Sequence, residues 1–179
     1  MRTLRLTLLH SHAGRGRGTL NALATEMVDE MAETPPKKTL SGARPAIGRV
    51  LVIDDEPMVA DAVALVLSDV NTVTVVNRGD EALALIMRGE RYDVILCDVM
   101  MPVMSGADLH ARLTAVAPTE AARMVFVTGC ALLPQVRAFL DRIPNTCLEK
   151  PFEVDALRAF VERRVRSERE LMLSTSRTG

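Results

Sequence analysis

Four short apolar segments of this chain end in residues able to do chemistry. The run at 50–53 leads into Asp54, Asp55 and Glu56, and the run at 94–97 into Asp98. The run at 124–127 leads into Thr128 and Gly129, and the segment 146–148 into Glu149, Lys150 and Pro151. Carboxylates gathered at one place repel, and without compensation at least one keeps its proton to higher pH. A hard divalent cation removes that conflict, and Mg²⁺ suits a shallow carboxylate site where it keeps several waters. Lys150 would add a point charge on a flexible stem, suited to a phosphate oxygen or a carboxylate. An aspartate beside a cation and a lysine can attack phosphorus to form an acyl phosphate. The positive charges then offset charge on the group in transfer. The hydroxyl of Thr128 can hydrogen-bond a phosphoryl oxygen and is free to turn elsewhere without one, which makes it a candidate sensor.

The elements that must bring these residues together repeat along the chain. After 50–53, Val59, Ala62, Val63, Val66 and Leu67 recur at helical spacing, with Pro57 where a first helical turn tolerates it. The segment 72–76 alternates Thr and Val like a half-exposed strand, and a helix over about 80–88 follows Gly79. The apolar strand 94–97 precedes a loop with Pro102 and Gly106 and a helix carrying Leu109, Leu113 and Val116. Strand 124–127 precedes a helix with Leu133, Val136 and Leu140, and strand 146–148 precedes one with Val154, Leu157, Val161 and Val165. This (βα)5 pattern predicts an α/β, flavodoxin-like, doubly wound five-stranded parallel sheet of order 2-1-3-4-5. The strand 72–76 is expected at its edge. Ligands of such sheets bind beyond the carboxyl ends of the strands, where all the residues above converge.

Composition narrows the class. Hydrophobic residues make up 48% and charged residues 25% of the 179 residues, and net charge is −1, ordinary for a globular domain and unlike a polyanion binder. Aromatic residues are scarce, which disfavours stacking on single-stranded nucleic acid. No apolar run approaches a membrane span. Cys97, Cys130 and Cys147 are odd in number and widely spaced, neither a disulfide framework nor a zinc motif, and fit a reduced, cytoplasmic compartment. Arg5 interrupts the opening apolar stretch, so no signal peptide is expected. Residues 1–46 are net basic and carry the breakers GRGRG and TPPKK. They read as a mostly disordered extension with an amphipathic helix over 19–33, ahead of a domain at 47–168 and a tail at 169–179.

Together the stretches VLVIDDEP (50–57), CDVMMPVMSG (97–106), VTG (127–129) and EKPF (149–152) resemble the receiver domain of bacterial two-component response regulators, over about two-thirds of the chain. The resemblance implies roles residue by residue. Asp98 would accept a phosphoryl group from a phosphohistidine on a sensor kinase or a histidine phosphotransfer protein. Asp55 would bind Mg²⁺ directly, Asp54 mainly through water, and Met100 through its backbone carbonyl. Thr128 would be the switch hydroxyl and Lys150 would contact the phosphoryl group. The Lys150–Pro151 bond would be cis, with Pro102 and Gly106 shaping the acceptor loop. The domain would be a phosphorelay signalling element rather than an enzyme, taking part only in its own phosphoryl transfer and hydrolysis. It would signal to an unknown protein target, with a homodimer through the fourth helix, fifth strand and fifth helix as one route.

Two departures from the family pattern stand out. Cys147 occupies a position where many receivers carry Tyr or Phe, so signalling is expected to use backbone shifts after Thr128 rather than an aromatic swap. Met100 and Cys130 flank the path of the hydrolytic water and are neither acid, base nor amide. No output module is expected after the last helix, whose Arg158, Arg163, Arg164, Arg166 and Arg169 interleave with Glu162, Glu168 and Glu170 as a solvated face rather than a DNA patch. Three alternatives stay open: the receiver piece of a hybrid histidine kinase, suggested by GRGTL at 16–20; a haloacid-dehalogenase-type phosphatase, which wants an Asp where Met100 stands; and a scaffold without phosphorylation.

Overall fold

A computed structural model of the chain describes residues 38–42, 47–129 and 133–175. The expected helix over 19–33 and Cys130 lie outside the described residues. In chain order the elements are β1 (Lys38–Leu40), β2 (Gly48–Ile53), α1 (Pro57–Leu67), β3 (Asn71–Val76), α2 (Gly79–Met87), β4 (Val94–Asp98), α3 (Gly106–Val116), α4 (Pro118–Ala122), β5 (Met124–Thr128), α5 (Pro134–Leu140), β6 (Cys147–Glu149) and α6 (Val154–Thr175).

The strands form one sheet of order β1-β3-β2-β4-β5-β6. The five from β3 to β6 run parallel, which is the expected 2-1-3-4-5 arrangement of a flavodoxin-like fold. Side chains alternate across it with the period of two that a strand imposes. Leu51 and Ile53 join Ala82, Leu85, Leu109 and Leu113 under α2 and α3. Val50 and Val52 join Ala60, Ala64, Leu157 and Val161 under α1 and α6. Burying each of the Val, Leu and Ile side chains here is worth about 1.5–3 kcal/mol, so both helical layers are needed to hold the strands that carry the site.

Three expectations are corrected. β3 is not an edge strand, because β1 pairs with it antiparallel, Thr39 opposite Thr74. β3 is accordingly buried from Val73 to Val76 rather than half-exposed. Part of the expected disordered extension, Lys38–Leu40, is therefore a strand, anchored to α1 by a 2.7 Å ion pair from Lys38 to Asp61. Finally α6 runs to Thr175, past the expected boundary at 168 and into the expected tail. Its charges are only partly solvated: Arg158 donates to the Val66 carbonyl at 2.9 Å, and Glu168 pairs with the buried Arg123 at 3.1 Å. The short helix α4, absent from the sequence reading, supplies Glu120 to the same arginine at 3.1 Å.

Helix α3 starts on a capping box. The Ser105 hydroxyl oxygen accepts from the Asp108 N–H at 3.1 Å, and the Asp108 carboxylate accepts from the Ser105 N–H at 3.2 Å. The Ser105 hydroxyl also donates to that carboxylate, which holds the Asp108 pKa below the usual range. Ser105→Ala is expected to lower the unfolding free energy by about 1 kcal/mol at neutral pH. A carboxyl with a lowered folded-state pKa stabilises above its unfolded pKa and loses that contribution as pH falls through the folded value. Denaturant titrations should therefore show the gap between parent and variant narrowing below about pH 4.

Candidate functional site

Because β2, β4, β5 and β6 run parallel, their carboxyl ends share one rim. Ile53 lies beside Cys97, Asp98 beside Val127, and Thr128 beside Glu149. The register thus brings Asp54, Asp98, Thr128 and Lys150 to neighbouring strand ends. The Lys150 ammonium donates to Asp54 Oδ2 at 2.7 Å and to Asp98 Oδ1 at 3.2 Å, while its backbone N–H donates to the Thr128 carbonyl at 2.9 Å. The Lys150–Pro151 peptide is cis, as expected.

Both carboxylates are sunk in the rim: Asp98 is 8% exposed and Asp54 5%, with Thr128 at 1%. The second oxygen of Asp98 accepts the Met100 N–H at 2.7 Å. Burial raises the Asp98 pKa above the ordinary aspartate value; Lys150 and the Met100 N–H pull the other way without cancelling it, and Asp54 adds to the rise. For Lys150, burial alone would lower the pKa, but the hydrogen bond to Asp54 and the charges of Asp98 and Asp54 outweigh it and hold the ammonium above its usual value. Asp55, the next residue of the turn, is half-buried.

Asp54, Asp55 and Asp98 carry three negative charges against one from Lys150, and their donors are hard oxygens. Two charges remain to be balanced, and in charge and donor type, though not in an assembled geometry, the residues suit a divalent cation of the Mg²⁺ class. Among the described residues no group of three His, Cys, Asp or Glu side chains is arranged to hold a metal ion. The Lys150 ammonium instead lies between the two buried carboxylates.

The loop from β4 to α3 is held from both ends. Met101 and Met104 are buried anchors, as expected, while Met100 is 47% exposed. The Gly106 N–H donates to the Val99 carbonyl at 3.0 Å, and the Met104 N–H to the Pro102 carbonyl at 2.7 Å. That second bond closes a tight turn around Val103, whose φ is 66°. A β-branched residue in the left-handed region is strained, and its side chain is 84% exposed, so packing returns little. Val103→Asn is expected to raise the unfolding free energy by about 1 kcal/mol, read as a higher denaturant midpoint at unchanged slope.

Cys97 is fully buried, and its thiol, held well above the usual range by burial, donates to the Asp98 carbonyl at 3.2 Å; it packs the core, as expected. Cys147 pairs in register with Phe126. The aromatic bulk there comes from elsewhere: Phe139 of α5 meets Phe126 edge-on at 5.1 Å, and His110 of α3 meets both rings. The sequence reading missed one polar residue that touches the site. Asn77, at the end of β3, donates from its side-chain amide to the Asp54 carbonyl at 2.8 Å. Nothing in its type or position announced it, since an Asn after a strand usually serves a turn.

Comparison with known proteins agrees with this arrangement. The profile of the response regulator receiver domain matches residues 50–162. The transcriptional regulatory protein DltR of Streptococcus agalactiae is 31% identical over 132 residues, 73% of this chain and 58% of that protein. The aerobic respiration control sensor protein ArcB of Escherichia coli is 31% identical over 119 residues, 66% of this chain but 15% of that protein. The chain thus spans little more than half of the first relative and a small part of the second. Among solved structures, the receiver domain of Francisella response regulator 1452 is 27% identical with a TM-score of 0.57, covering 67% of this chain and 98% of that one. A CheY-like receiver protein from Methanospirillum hungatei shares the fold at a TM-score of 0.61 and 22% identity, over 71% of this chain and 98% of that one. No described helix is long and apolar enough to cross a membrane. A family match over more than half of the chain, on a sheet of this order, means that the chain belongs to the response regulator receiver domain family.

Proposed function

We propose that Asp98 accepts a phosphoryl group, with Mg²⁺ held at Asp54, Asp55, Asp98 and the Met100 carbonyl, and that the domain signals by the change in shape that follows. The observation that carries the proposal is the Lys150 ammonium shared between Asp54 and Asp98 at the carboxyl ends of parallel strands. An Asp98 oxygen attacks phosphorus of a phosphohistidine; the new O–P bond forms as the N–P bond breaks, and the imidazole leaves with the electron pair and takes a proton from solvent. Mg²⁺, when bound, supplies electrophilic stabilisation of the phosphoryl oxygens. Lys150 stays close enough to follow charge from the Asp98 carboxylate to the phosphoryl group, and the Met100 N–H holds the other carboxylate oxygen. Thr128 turns its hydroxyl toward the phosphoryl group, and the segment after β5 shifts with it.

The donor is a sensor histidine kinase or a histidine phosphotransfer protein in the cytoplasm, and the output is a protein contact, with a homodimer through α5, β6 and α6 as one form and no direct DNA binding. The match to ArcB favours a second reading, in which this receiver is a piece of a hybrid sensor kinase. The test is incubation with acetyl phosphate followed by intact mass. One phosphoryl adduct is expected with Mg²⁺ and none with excess EDTA; an adduct of equal yield in EDTA, or none in either, overturns the proposal.

A further inference from the structure

We infer that Asn77 is a positioning residue that sets how tightly the Asp54–Asp55 turn holds a divalent cation. The inference rests on the cation site proposed above. β2 and β3 pair in parallel up to Ile53 and Val76, and the Asp54 N–H still donates to the Val76 carbonyl at 3.3 Å. There the ladder ends, because the chain leaves β3 through Asn77 and enters α2 with Arg78 as its N-cap. The Asp54 carbonyl, which a further rung would have satisfied, instead accepts the side-chain amide of Asn77 at 2.8 Å. Asn77 therefore stands in for a missing backbone donor.

This leaves Asp54 tied at every polar position. Its N–H meets Val76, its carbonyl Asn77, its Oδ1 the Glu56 N–H at 3.0 Å, and its Oδ2 the Lys150 ammonium at 2.7 Å. The peptide plane that the Asn77 amide holds is the one joining Asp54 to Asp55. Its orientation sets where the Asp55 backbone starts, and a carboxylate on a short side chain has little reach to correct an error there. Asn77 touches neither a reacting atom nor a cation ligand's carboxylate, so it acts through the turn. Removing an outer partner of this kind typically weakens metal affinity 10–100-fold, approximately.

The test is calorimetric titration of Mg²⁺ into the full chain and into Asn77→Ala, Asn77→Leu and Arg158→Ala. Arg158 ties α6 to the last turn of α1 through the Val66 carbonyl and Asp69, away from the rim, so its variant reports loss of stability alone. Both Asn77 variants are expected to raise the Mg²⁺ dissociation constant about tenfold or more, and Arg158→Ala to leave it unchanged. Asn77 variants that bind Mg²⁺ as the parent does, or an Arg158 variant weakened as much as they are, overturn the inference. A parent chain that takes up no Mg²⁺ overturns the cation site itself, and the inference with it; unchanged binding by the Asn77 variants in a parent that does take it up overturns the inference alone.

Discussion

Asp98→Asn is expected to abolish phosphoryl uptake and at the same time to make the domain more stable. The amide cannot form an acyl phosphate, so intact mass after acetyl phosphate and Mg²⁺ should show no adduct. The stability gain follows from burial. Asp98 is held in a rim that disfavours its charged form, which is why its pKa lies above the ordinary value. At neutral pH the folded state keeps that charge at a cost the unfolded chain does not bear. Asparagine keeps an oxygen to accept the Met100 N–H, and Lys150 keeps Asp54 as a partner. In buffers free of divalent cations, the variant should therefore unfold at higher denaturant than the parent at pH 7. The sign of the pH dependence is set by the same shift. An acid with a raised folded-state pKa destabilises above that value and is neutral in both states below its unfolded pKa, so the advantage should vanish below about pH 3.9. On the function proposed for Asp98, a buried charge that weakens its own fold is the usual trade of stability for function. A variant less stable than the parent at pH 7 would contradict the burial argument without touching the chemistry.

Gly106→Ala is expected to cost about 3 kcal/mol of unfolding free energy and to lower phosphoryl uptake in proportion to the fraction that unfolds. Gly106 opens α3 against the end of β4. A methyl group there would run into the Asp98 carbonyl oxygen and stand 3.1 Å from the Val99 Cα. Both are backbone atoms of the turn after β4, and the Gly106 N–H is itself bonded to the Val99 carbonyl, so neither side can give way cheaply. Relief would have to come from moving Asp98 or unwinding the first turn of α3. Gly129→Ala is the control: its nearest neighbour would be the Lys150 Cβ at 4.0 Å, ordinary contact. Urea titrations of the two variants should differ by most of the Gly106 effect. A Gly106 variant as stable as the Gly129 variant would show that the turn after β4 is softer than its packing implies.

Much of this was legible in the sequence, because the signals are local and repeat. Five strand-like segments, three of them apolar runs of four residues, each followed by helical periodicity, impose a parallel sheet: the central strands are apolar on both faces and need a helix on each side. Strand ends in such a sheet share a rim, so Asp54, Asp98, Thr128 and Lys150 could be brought together on paper from their position alone. What stayed hidden depends on partners distant in sequence. Lys38–Leu40 is a strand because β3 offers it an unpaired edge; three residues of mixed polarity carry no period of their own. Glu120 and Arg123 carry no sign of burial in the sequence, yet both are buried, paired with each other and with Glu168 of α6. Asn77 became part of the site only where β3 turns away and leaves the Asp54 carbonyl without a rung, an event of hydrogen-bond geometry that residue types do not record.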